Sequence, residues 1–63
     1  MDQAKIGKFI SDMRKRQGLT QKQLADQLNV TDKTVSKWEN GYRLPDASLL
    51  LELGSALEVD INE

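Results

Sequence analysis

The chain of 63 residues is 38% hydrophobic and 30% charged, carries a formal net charge of −1, and contains neither cysteine nor histidine. This length makes one domain with a single small core, and the composition excludes disulfides and thiolate metal sites. No apolar run approaches the ~18 residues needed to cross a membrane, and no apolar stretch follows the opening charges as a secretory signal requires, so a cytoplasmic protein without membrane contact is expected.

Charge is unevenly placed. Residues 1–43 hold all nine Lys and Arg against five acids, whereas residues 44–63 hold five acids and no base, which makes the two parts +4 and −5. Such segregation suits a basic face for phosphate backed by an acidic face, and it equally suits an ordinary solvated surface.

Four helical segments are legible. Ile6, Phe9, Ile10 and Met13 recur at i, i+3, i+4 and i+7, which predicts a helix face. Arg14, Lys15 and Arg16 followed by Gly18 predict its end. The second helix opens at Thr20: Thr20 and Gln23 fit a capping box, and Leu19 can staple against Leu24. Leu24, Ala25 and Leu28 form its apolar stripe, and Asn29, which tolerates left-handed backbone, ends it.

Thr31 is the expected cap of a third helix, with Asp32 in the first turn to complement its dipole. Helical spacing puts Asp32, Lys33, Ser36, Lys37 and Asn40 on one side. Val35 and Trp38 fall on the other, with Thr34 beside them. Gly41 stops this helix. Pro45 marks a break, and Asp46 is the expected cap of a fourth helix with Leu49, Leu50, Leu53 and Leu57 as its apolar face. Gly54 and Ala56 are small enough for close packing. Val59 and Ile61 continue the apolar signal, and Asp60 offers a further helix start. The chain reads either as a fragment of a longer regulator or as a protein with a frayed natural terminus.

Residues 21–41, QKQLADQLNVTDKTVSKWENG, therefore hold two short amphipathic helices joined tightly. That is the pattern of a helix-turn-helix unit, whose second helix fits the DNA major groove. With these residues placed, nearly the whole chain, from about Ile6 to Ile61, resembles the phage-repressor/Cro-like (XRE-like) helix-turn-helix family. The resemblance is carried by Ile6-Gly7 with Ile10 and Arg14; by Leu19-Thr20-Gln21 with Leu24-Ala25; by Val30-Thr31; by Val35-Ser36-Lys37-Trp38-Glu39-Asn40-Gly41; and by Pro45 before a Leu-rich helix. It implies an all-α, compact, lambda-repressor-like domain of four to five helices spanning residues 1–63. Asn29 stands where the family often has Gly. The resemblance also implies that Arg14 and Glu39 pair, tying the first helix to the end of the third; such a pair can be structural and partly buried, or exposed and weak.

The resemblance places base contact at Asp32, Lys33 and Lys37, with Thr31, Thr34 and Ser36 close by. Lys33 and Lys37 can donate to guanine O6 and N7, and Asp32 can accept from a cytosine amino group. The plainer roles are phosphate or solvent contact for the lysines and helix-start stabilisation for Asp32. By the same resemblance Gln21 and Asn40 grip the DNA backbone on either side of the groove. Tyr42 and Arg43 extend that contact, and Lys22 is a further candidate. Asn40 can instead be a simple C-terminal cap, and Tyr42 can pack on the core edge. Trp38, beside Val35, reads as core rather than as a base-stacking residue.

No Gly-rich phosphate loop, carboxylate pair in an apolar pocket or metal-ligand cluster is readable, so neither an enzyme nor a cofactor is expected. The expectation is a sequence-specific DNA-binding transcriptional regulator, a repressor. It would act on a double-stranded operator as a homodimer, on half-sites about 34 Å apart or a multiple of that. The alternative is a protein-interaction or antitoxin-like helix-turn-helix module that uses the acidic, Leu-rich residues 46–63, whose plainer role is a fourth core helix.

Overall fold

The computed structural model describes residues 2–59. They form α1 (Gln3–Arg16), α2 (Gln21–Leu28), α3 (Asp32–Glu39), a single 3₁₀ turn (Ala47–Leu49) and α4 (Leu50–Leu57). Among the described residues there is no strand, and the fold is all-α as expected. The apolar signal at Ile61, the helix start at Asp60 and hence any fifth helix lie outside the described residues.

Local chemistry sets the boundaries. Asp2 caps α1 by accepting from the amides of Ala4 and Lys5, at 3.0 and 3.2 Å. Thr20 and Gln23 form the expected capping box on α2, and the Thr31 hydroxyl accepts from the Thr34 amide at the start of α3. All four helices end alike. A residue two or three past each helix end donates its amide five positions back: Leu19 to Arg14, Val30 to Ala25, Tyr42 to Lys37 and Val59 to Gly54. This closure needs a left-handed residue before the donor. The chain supplies Gly18, Asn29, Gly41 and, without a glycine, Glu58 at φ 56°.

The core is shared by every helix: Ile10 from α1; Leu24, Ala25 and Leu28 from α2; Val35 and Trp38 from α3; Leu53 and Leu57 from α4. Complete burial of each large apolar side chain contributes about 2 kcal/mol. α3 packs on both α1 and α2, while α4 packs on α2 and α1. The recognition unit therefore rests on a floor built by the rest of the chain.

Two expectations are corrected here. Helical spacing predicts Phe9 on the inner face of α1, yet it is about half exposed. Gly7, Ile10 and Arg14 face inward instead, because only a glycine at position 7 lets the C-terminal carbonyls of α3 approach so closely. Asp46 does not cap the fourth helix directly. It accepts from the Ser48 amide at the head of the 3₁₀ turn, and α4 begins at Leu50 with no side-chain cap. The tighter winding of that turn, three residues per revolution, shifts the register and leaves Leu50 half exposed.

Candidate nucleic-acid interface

α3 is held from behind. Val35 is fully buried and Trp38 is 2% exposed, so the indole belongs to the core. Asp32, Lys33 and Lys37 are exposed on the same short helix. Ion pairs engage Lys8 with Asp12, Arg14 with Glu39 and Lys22 with Asp26. Among the described residues, Lys33 and Lys37 join no such pair. Two ammonium groups without protein counter-ions, projecting from a helix anchored by Val35 and Trp38, can meet phosphate or base acceptors without first breaking an internal bond.

The hydroxyls near the start of α3 are already engaged. Thr31 Oγ1 accepts from the Thr34 amide at 3.2 Å, and the two threonine hydroxyls share a hydrogen bond at 3.0 Å. Thr34 is half-buried, on the side toward Val30, Trp38 and Leu44 rather than with the lysines. Ser36 is half-buried and accepts from Asn40 through both its carbonyl and its hydroxyl oxygen, at 2.8 and 3.2 Å. The Asn40 amide nitrogen is thereby turned back onto its own helix, so a side-chain bond from it to phosphate requires rotation away from Ser36. Tyr42, 80% exposed, and Arg43 follow directly after the closure at Gly41.

Lys22 is exposed and bonded to Asp26 at 2.8 Å. That hydrogen bond, with the Asp26 charge, raises the amine above its ordinary value. Gln21 differs from every other candidate. It is half-buried at the first position of α2, and its Nε2 donates to Glu39 Oε1 at 3.1 Å.

Glu39 is the centre of the polar junction. Arg14 donates to it twice, Nε to Oε2 at 2.7 Å and Nη2 to Oε1 at 3.1 Å, and also donates from Nη1 to the Leu19 carbonyl at 2.6 Å. The two side chains are 11% and 6% exposed. Burial pushes the Glu39 carboxyl upward, but the hydrogen bonds from Arg14 and Gln21, the Arg14 charge and Ser11 together outweigh it and hold the group below the usual carboxylate range. The link from Gln21 to Glu39 was not legible in the sequence, since it joins residues 18 apart across two helices.

A domain with four helices among the described residues, in which the second helix of a helix-turn-helix buries Val35 and Trp38 and presents Lys33 and Lys37 to solvent, is the class this fold and site define. The chain belongs to the helix-turn-helix family, whose model matches residues 10–63. It is 37% identical over 54 residues to the HTH-type transcriptional regulator ImmR of Bacillus subtilis, covering 86% of this chain and 42% of that protein. It is 34% identical over 59 residues to the cryptic phage CTXphi transcriptional repressor RstR of Vibrio cholerae, covering 94% and 53%. The chain thus spans about half the length of these curated relatives. Among solved structures it resembles the restriction-modification controller protein C.AhdI from Aeromonas hydrophila, with a TM-score of 0.86 and 29% identity, covering 94% of this chain and 86% of that one. The clp gene regulator ClgR from C. glutamicum shares the fold, with a TM-score of 0.87 at 23% identity over 97% of this chain and 78% of that one.

Proposed function

We propose that the chain is the DNA-binding domain of a transcriptional repressor that inserts α3 into the major groove of a double-stranded operator. The observation that carries this reading is the pairing of opposites on α3: Val35 and Trp38 buried, Lys33 and Lys37 exposed with no ion-pair partner among the described residues. The names of the relatives, a transcriptional regulator and a phage repressor, support it. In this reading Lys33 and Lys37 read bases, assisted by Asp32 and the neighbouring Thr31 and Ser36, while Thr34, turned toward Val30, Trp38 and Leu44, supports the start of the helix instead. Gln21, Asn40, Tyr42, Arg43 and Lys22 position the DNA backbone. The chemistry is binding, not catalysis, and it takes place in the cytoplasm.

The domain acts as a homodimer on two half-sites. The exposed apolar side chains of Phe9, Leu50 and Leu51 support a protein-contact surface on α1 and α4. Selection of bound duplexes from a random pool tests the whole reading. A shared motif repeated at about 34 Å, or a multiple of it, is expected, with affinity that falls steeply as salt rises. An adaptor that binds only protein returns no motif and no salt-dependent DNA binding.

A further inference from the structure

We infer that Glu39, besides pairing with Arg14, is a positioning residue for the DNA interface: it fixes the orientation of the Gln21 carboxamide so that a nitrogen donor, not an oxygen, is offered to the DNA backbone. The inference rests on the reading of Gln21 as a phosphate contact. An ionised carboxylate only accepts hydrogen bonds. The end of the carboxamide that faces Glu39 Oε1 at 3.1 Å must therefore be its nitrogen. That nitrogen carries two hydrogens; one is spent on Glu39 and the other is left for an acceptor beyond the protein. A phosphate oxygen, itself only an acceptor, needs that second hydrogen.

The carboxylate cannot swing away. Arg14 holds both of its oxygens, and the pair is almost fully enclosed. Gln21 thus works from a fixed anchor on the last residue of α3 while sitting on the first residue of α2. Asn40 makes the contrast, because its amide nitrogen is spent on Ser36 within its own helix. Loss of the Glu39 acceptor frees the Gln21 amide to turn over and present its oxygen to the phosphate, which repels it.

The test is a double-mutant cycle on the full chain, read as affinity for a fluorescent duplex carrying the selected operator, with folding of each variant checked by its thermal unfolding. Gln21→Ala and Glu39→Gln are each expected to weaken binding about 3- to 10-fold, the size of one charge-assisted or neutral hydrogen bond. The double variant is expected to be no weaker than the worse single variant, because Glu39 acts through Gln21. Fully additive losses, the outcome of a purely structural Glu39, overturn the inference while leaving Gln21 as a phosphate contact. No loss on Gln21→Ala overturns both. A second readout needs no variant. In the wild-type chain the Nε2 proton of Gln21 that faces Glu39 should shift as Glu39 is protonated, more than its geminal partner. Two Gln21 amide signals indifferent to that titration sink the proposal.

Discussion

Gly7 lies so close to the backbone carbonyl of Trp38 that a β-carbon at position 7 overlaps its oxygen, and the Glu39 carbonyl oxygen is also only 2.7 Å from that position. α1 and the end of α3 therefore touch backbone to backbone. The Trp38 carbonyl is held in place, since it accepts the Gly41 amide that closes the helix. Gly7→Ala should destabilise the fold by about 2 kcal/mol, even though alanine is favoured over glycine in a helix interior by about 1 kcal/mol. Urea unfolding measures it; a stabilised variant would show that the helices part easily.

The ion pair beside this contact predicts a pH dependence. Glu39 sits below the ordinary carboxylate range because Arg14 and Gln21 bond its charged form more strongly than burial opposes it. A depressed folded-state value means that the pair contributes its full stability above the unfolded-state pKa of about 4.3. The contribution is lost as pH falls through the lower folded-state value. Stability should therefore decline on acidification, and Glu39→Gln should flatten that decline. Removing one partner, as in Arg14→Ala, should cost about 3–5 kcal/mol because a nearly enclosed charge loses its counter-ion. Chemical denaturation across an acid pH series checks both statements. An unchanged pH profile in Glu39→Gln would mean that other carboxylates carry the acid sensitivity.

Much of this fold was legible because it is written in local chemistry. The capping box at Thr20, the left-handed Asn29, the Thr31 cap and the burial of Val35 and Trp38 each follow from residues within one or two turns. What escaped depends on distance. Periodicity alone placed Phe9 on the inner face of α1, but which face turns inward was decided by α3, which selects the one position without a side chain. The 3₁₀ turn after Asp46 escaped because an Asp cap looks the same before either kind of helix. At the interface, the exposure of Lys33 and Lys37 follows from spacing, whereas the turning of Asn40 onto Ser36 and of Gln21 onto Glu39 arises only when tertiary packing chooses among side-chain partners.

Glu58 is the one helix-closing residue whose side chain opposes its backbone. It occupies the left-handed region at φ 56° with its amide donating to Ser55, and Val59 closes back onto Gly54. A non-glycine residue there carries a steric penalty of roughly 1 kcal/mol, and an acid at a helix C-terminus meets the negative end of the dipole. Glu58→Gly should raise stability by about 0.5–1 kcal/mol, measurable as a higher melting temperature. Asn29→Gly, at φ 61°, should change it less, because asparagine already tolerates that conformation. Equal gains at both positions would show that side-chain type is immaterial to these closures.

Lys37 and Asn40, three residues apart at the end of α3, should fail in different ways when truncated. Lys37 is exposed, joins no ion pair among the described residues and rests on a helix fixed by Trp38. If its ammonium donates to a base edge, Lys37→Ala should cost about 1–3 kcal/mol on the preferred operator and relax the preference at one base pair. Asn40 has its amide nitrogen on Ser36; if after rotating it contacts only the DNA backbone, Asn40→Ala should weaken all duplexes similarly and leave the preferred sequence unchanged. Affinities for a panel of single-base operator variants separate the two behaviours. A loss for Lys37→Ala that is uniform across the panel reassigns Lys37 to phosphate, and a changed preference in Asn40→Ala would mean that the end of α3, not its lysine face, reads the sequence.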